Sequence, residues 1–406
     1  MTMFRLFLVL FSACVCAMEP SANQIKQNNM RRVESLTALA AEALISDKGI
    51  HHYKKQNSSN ESISNDLFDI IKKRSSLWSR LPVIYQGSML GHTDYIRSLA
   101  YSRDGSMLAS GGNDSIITLW DTENSQASTI LNHSDKVVSV AFSPVNSELA
   151  SGSHDTTIKL WDLTTGKDTT QLDHGSEVRS LAYSPDGTII ASISGDLNST
   201  LGNSTMHLWD LAAHKLIHMV KKAPSCRISA VVYHPNGLEV IVAHKTGIIE
   251  IIDLRTNKVS AEFKGHETFI SSLALNSDGT RLISVAHNQA KLWNYDTKES
   301  VSTTLDRGVL SVTLSPDGNH IATGLIEKTV KIWNLATSQL ITTLNGHYGW
   351  VSSVAYKPDG TQLASGSHDQ MVQLWTPMEH VNSFEELVEH LENIGSLDAE
   401  KDEEPV

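Results

Sequence analysis

From Leu90 to Thr376 short apolar runs interleaved with polar residues are broken by turns, and the whole order then begins again. Val137, Val140 and Phe142, then Leu149, then Ile158 and Leu160 show the grain of one unit, which reads as short half-buried strands. A polar turn recurs inside the unit, as in Ser184-Pro185-Asp186-Gly187, Ser315-Pro316-Asp317-Gly318 and Lys357-Pro358-Asp359-Gly360. Each unit closes on Trp or a substitute, at Trp120, Trp161, Trp209, Ile252, Trp293, Trp333 and Trp375, at intervals of 41, 48, 43, 41, 40 and 42 residues. One such sheet cannot bury its own faces. Stacked radially, neighbouring sheets cover each other and leave only short edges. The period therefore predicts an all-β fold, a seven-bladed β-propeller of four-stranded antiparallel blades over residues 81–376, with short helical N- and C-terminal extensions.

A fourth, outer strand follows each closing position, as in residues 257–263 and 338–344, but the last unit runs out at Trp375. Residues 81–89 stand just before the first unit and have the length to serve as the closing strand of blade seven. Residues 18–80 read as a polar helical segment: Val33, Leu36, Leu39, Ala40, Ala43 and Leu44 fall at helical spacing, and Leu67, Phe68, Ile70 and Ile71 begin a second helix. These helices are expected to pack on the main domain, with an adaptor-docking module as the alternative. In residues 377–406, Ser383 and Glu386 have capping-box spacing, and Phe384, Leu387, Val388, Leu391 and Ile394 form one apolar stripe ahead of an acidic tail.

Units opened by Leu90-Gly91-His92, Lys264-Gly265-His266 or Asn345-Gly346-His347 and closed by Trp120-Asp121, Trp161-Asp162 or Trp209-Asp210 resemble the WD-repeat family, over about three quarters of the chain. His92, Ser110, Asp114 and Trp120 keep offsets of 18, 22 and 28 residues, repeated by His133, Ser151, Asp155 and Trp161 and by His347, Ser365, Asp369 and Trp375. Ser, His and Asp together suggest nucleophilic catalysis, but catalysis needs one activated site and these recur blade after blade. The resemblance implies structural tetrads instead, in which groups orphaned by burial pair with one another. Unit three keeps His174, Ser192 and Trp209 but carries an insertion from Asp196 to Asn203, which puts its tetrad in doubt, and unit five has His266, Ser284 and Trp293 with one residue fewer. Unit four has Ile252 and lacks the His, and unit six has Arg307-Gly308 at the His turn, so blades four and six are expected to rest more on apolar packing.

The same resemblance implies contact points on the face where the first strands begin: Tyr95, Lys136, Glu177, Arg227, Phe269, Gly308 and Trp350, with Tyr348, Asn113, His154 and His368 nearby. Aromatic side chains exposed at turns gain nothing from folding and often anchor partners. Partial burial against the next blade is the competing reading.

Composition narrows the partners. The 33 basic and 45 acidic residues leave a formal charge of −12, which argues against a nucleic-acid partner. No apolar run reaches the ~18 residues of a membrane span. The cysteines are Cys14, Cys16 and Cys226, too few for a disulfide framework or a Cys-rich zinc site once the N-terminus is removed. Residues 1–17 read as a signal peptide, with Arg5, the apolar stretch Leu6 to Phe11, and Val15 and Ala17 at a cleavage point. The chain is thus expected to be exported, periplasmic or secreted. The alternative is lipid anchoring at the cell surface through Cys14, since Phe11-Ser12-Ala13-Cys14 resembles a lipobox. No phosphate-binding loop, H-E-x-x-H or G-x-S-x-G motif is present, and no cofactor or metal is expected. The leading reading is a non-enzymatic interaction scaffold that binds a protein or peptide. A carbohydrate or surface-ligand binder and, behind it, a propeller enzyme with a central-channel site are the alternatives.

Overall fold

The strand alternation becomes seven four-stranded antiparallel sheets. The structure, a computed structural model, describes residues 83–195, 204–222, 228–286, 289–304, 307–335 and 337–377. The expected signal peptide, both helical extensions, the acidic tail, the insertion at 196–203, Cys226 and Arg227 lie outside the described residues.

Strands within a blade are lettered a to d from the inside outwards. In blade one they are Ile96–Tyr101, Met107–Gly112, Ile116–Asp121 and Ala127–Asn132. Blade seven takes Val351–Tyr356, Leu363–Ser367 and Met371–Pro377 as a to c, and Val83–Leu90 as its fourth strand. The inner strands neighbour one another in chain order, and that of blade seven touches that of blade one. The ring is therefore closed by sequence from both ends of the repeat region, which leaves no blade with an incomplete sheet.

Every strand a begins with a bulge, placed between Ile96 and Ser98 in blade one and between Val351 and Ser353 in blade seven. A bulge bends the strand and re-aims the residue beyond it. In four blades that residue is a serine turned towards the next inner strand: Ser98 Oγ accepts from the Val140 N–H at 3.1 Å, Ser139 from Leu181 at 3.1 Å, Ser311 from Val354 at 3.2 Å and Ser353 from Leu99 at 3.0 Å. These bonds cross blade boundaries and tie the innermost layer at four of the seven junctions.

The core lies between blades. One cluster joins Ile117, Leu119 and Leu131 of blade one to Val137, Leu149 and Trp161 of blade two. Another joins Ala364, Val372 and Leu374 of blade seven to Ile96, Leu108 and Trp120 of blade one, and Met89 of the closing strand completes it. The approach is close enough that strand b carries glycine where the next blade presses on it. A Cβ on Gly152 would stand 2.5 Å from Val178 Cγ1, and one on Gly366 2.7 Å from Ile96 Cγ2. Blade four, with Val242 and Ile252 at the serine and tryptophan positions, is held by apolar packing from Ile241, Ile249 and Ile251. Blade six is likewise packed by Val309, Val312, Leu314, Ile321 and Leu325, but it keeps one polar link of the set. Its Trp333 Nε1–H still donates to Thr323 Oγ1 at 3.1 Å, because threonine supplies the same hydroxyl as serine.

Candidate partner-binding face

Three of the Ser, His and Asp sets meet, and their geometry shows what they can do. In blade two the Trp161 Nε1–H donates to Ser151 Oγ at 2.7 Å, Ser151 Oγ lies 2.7 Å from His133 Nε2, and His133 Nδ1 lies 2.8 Å from Asp155 Oδ2. Blades one and seven repeat the chain through Trp120, Ser110, His92 and Asp114, and through Trp375, Ser365, His347 and Asp369. With Nδ1–H given to the carboxylate, Nε2 accepts the serine O–H, and every polar atom has a partner. Burial pushes Asp155 up, but bonds from Thr157, His133 and the Ser134 N–H outweigh it and hold the carboxyl at about 2. The resemblance to a catalytic triad ends at access. Ser110, Ser151 and Ser365 are each 0% exposed, with an indole donating to the oxygen that would have to attack. A buried hydroxyl in that position binds blade strands together and reaches no substrate.

The incomplete sets differ in a telling way. In blade three Trp209 still donates to Ser192 at 2.9 Å, but the His174 ring stacks on His207 at 3.8 Å and neither of its nitrogens has a hydrogen-bond partner. Burial and the neighbouring His207 hold His174 down at about 4. In blade five His266 and Trp293 both meet Ser284 Oγ at 2.8 Å.

The candidate contact residues share one backbone relation. The residue before strand a accepts an N–H bond from the residue that opens the b–c turn of the same blade: Asn113 to Tyr95 at 2.8 Å, His154 to Lys136 at 2.9 Å and His368 to Trp350 at 2.9 Å. The repeat thereby puts these positions on one face. Across three blade boundaries the b–c turn residue then meets the next blade's leading residue. His154 faces Glu177 at 4.0 Å, Lys245 lies 5.2 Å from the Phe269 ring, and His368 stacks flat on Tyr95 at 4.2 Å. Trp350 also packs on His368, at 5.3 Å, while the Arg97 guanidinium stands 6.0 Å from the Tyr95 ring. A continuous row Trp350, His368, Tyr95, Arg97 thus spans the junction of blades seven and one. The rings are partly covered by each other, yet Tyr95 remains 42%, Trp350 50% and Tyr348 53% exposed. Tyr348 is held beside the row through its backbone N–H, which donates to Asp369 at 2.8 Å. Phe269 is exposed separately on blade five, and Gly308 occupies the corresponding place in blade six with a φ of 78°.

Arg97, Arg179 and Lys245 were not among the residues singled out from the sequence. Arg97 and Arg179 hold the same register, one residue after the first residue of strand a, so the period contained their signal.

The family profile "WD domain, G-beta repeat" matches residues 85–121, 124–162, 166–210, 257–294, 299–334 and 338–376, more than half of the chain. The chain belongs to this WD-repeat family. The unmatched stretch 211–256 holds the three inner strands of blade four, whose tetrad positions carry Val242 and Ile252 in place of Ser and Trp. Among known relatives, U3 small nucleolar RNA-associated protein 12 of Saccharomyces cerevisiae is 28% identical over 173 residues, 37% of this chain and 18% of that protein. Target of rapamycin complex subunit LST8 of Mus musculus is 28% identical over 152 residues, 35% of this chain and 47% of its own length. WD repeat-containing protein 3 homolog of Dictyostelium discoideum is 32% identical over 131 residues, 29% of this chain and 14% of that protein. The matched segment spans less than half the length of each of these relatives.

Proposed function

We propose that this WD-repeat propeller is a non-enzymatic scaffold that binds a protein or peptide on the face bearing Tyr95, Tyr348 and Trp350. The observation that carries the reading is the exposed aromatic row over the junction of blades seven and one. Large rings that hold each other in place lose little side-chain freedom on binding and bury much apolar area, which is the pattern of interface hot spots. Membership of the family supports it, as does a relative named as a subunit of a complex. Export, with cleavage after Ala17, is proposed from the sequence alone.

The test is the double variant Tyr95→Ala with Trp350→Ala, compared with wild type for recovery of bound proteins by quantitative mass spectrometry. The fold should survive and affinity should fall by at least ~2 kcal/mol. Asp317→Ala, in an a–b turn at the other end of the strands, should leave recovery unchanged. Undiminished recovery by the double variant would move the site off this face. Binding of glycans but not proteins, lost in the same variant, would replace the protein partner with a carbohydrate.

A further inference from the structure

Two arginines occupy the same position in the repeat, and their surroundings differ. Arg179 of blade three is paired with Glu177 and donates through Nε to the Gly195 carbonyl at 3.3 Å. Arg97 of blade one donates through Nε to Asn113 Oδ1 at 2.8 Å, which fixes the plane of its guanidinium, and among the described residues no carboxylate pairs with it. Asp94 is the acid that acts on it, but Asp94 Oδ1 already accepts the Tyr95 N–H at 2.6 Å. The two terminal nitrogens of Arg97 are therefore left as an uncommitted planar fork. It stands at the start of an inner strand and at the end of the aromatic row.

The electrostatics around it agree with that geometry. The protein around Arg97 and the charge of Arg179 pull its pKa down, against the opposing pull of Asp94 and Tyr95. Burial and the charge of Arg97 in turn hold His368 below its ordinary value, so the middle ring of the row is a neutral stacking surface at neutral pH. An anion brought to the fork would relieve the repulsion between the two arginines. Asp94 nearby disfavours a doubly charged group, and a planar fork matches a planar acceptor.

Resting on the face assignment above, we propose that Arg97 receives a carboxylate of the bound partner, while an adjacent apolar side chain of that partner lies on the Tyr95, His368 and Trp350 row. The partner class is an acidic peptide segment with a neighbouring aromatic or aliphatic residue. The carboxylate can belong to an Asp or Glu side chain or to a chain end, and the two sources are separable.

The experiment immobilises the full chain and presents a positional-scanning library of N-acetylated octapeptides in two forms, C-terminally amidated and with a free C-terminus. Retained amidated peptides should be enriched in Asp or Glu at one position and in apolar residues beside it; enrichment confined to the free form would assign the carboxylate to a chain end. Arg97→Gln should reduce the acidic preference by roughly tenfold while keeping the apolar preference, and Arg97→Lys should restore only part of it because the fork is lost. Asn113→Ala, which frees the guanidinium plane, should weaken the preference in the same direction and serves if Arg97→Gln misfolds. An acidic preference equal in wild type and Arg97→Gln, or no acidic preference at all, overturns this inference alone, provided Tyr95→Ala with Trp350→Ala still abolishes retention. Retention of no peptide by wild type, or retention unaffected by that double variant, overturns the face assignment as well.

Discussion

Replacing His133 and His174 separately by alanine isolates what a complete tetrad contributes, because the same side chain is removed from equivalent and equally buried places, 7% and 5% exposed. The transfer and cavity costs are then nearly equal and cancel in the comparison. The polar costs do not. Without His133, Ser151 loses the ring nitrogen at 2.7 Å, and Asp155 Oδ2 loses one of its two donors and keeps only the Ser134 N–H. Leaving buried groups short of partners costs about 1–3 kcal/mol, and more when one is charged. Without His174 the fold loses a stack on His207 and is relieved of two ring nitrogens without partners. His133→Ala should therefore be the more destabilising by about 2–3 kcal/mol. Urea unfolding followed by tryptophan fluorescence would show this as a lower midpoint at an unchanged slope. Losses equal to within ~0.5 kcal/mol would refute the claim that the tetrad's hydrogen bonds, rather than the volume of the imidazole, stabilise blade two.

Acid should act strongly on blade three. His174 is held at about 4, below its unfolded value, so the unfolded state binds more protons and stability is lost as pH falls from about 6.5 to 4, by roughly 3 kcal/mol; His174→Ala should flatten that part of a stability–pH curve, and an unchanged curve would assign the loss elsewhere. Asp155, held at about 2, contributes stability above its unfolded value that is lost as pH falls through 2, so Asp155→Asn should remove a destabilisation seen only in that more acid range. Removing residues through Leu90 should lower the melting temperature well below that of a chain starting at Val83, since strand c of blade seven would then have a bare edge, whereas equal melting would deny the pairing a role. N-terminal sequencing of the exported protein should begin at Met18; lipid on Cys14 or an intact Met1 would contradict cleavage there.

The number of blades was readable because one position, the closing Trp, recurs at a nearly constant interval, even where Ile252 replaces it in a blade the family profile passes over. The tetrads were readable for the same reason, as fixed offsets. In blade three the insertion at Asp196 put the tetrad in doubt, but where the ring goes instead was hidden: His207 on strand c takes the ring of His174 as a stacking partner, and that competition has no signature in an offset. Blade six escaped for a chemical reason, since Thr323 was not counted as a serine equivalent. On the face, periodicity could say which residues share a surface but not which touch. Tyr95 and His368 come from the two ends of the repeat region, and only ring closure sets one ring on the other. Arg97 reads as an ordinary exposed strand residue until three dimensions show its guanidinium held by Asn113 and, among the described residues, in no ion pair.

The aromatic row straddles the one boundary at which the first and last blades meet, and the last blade is itself assembled from both ends of the repeat sequence. A partner lying along the row can therefore bind only when these distant stretches have been brought together, and it has no counterpart site on a chain in which they have parted. By mass action it would act as a clasp on the ring, adding about 2.7 kcal/mol against opening when present at a hundred times its dissociation constant. Proteolytic trimming of Val83–Leu90 would weaken that grip without removing a single contact residue, so occupancy of the face and integrity of the seam would be read out by one another.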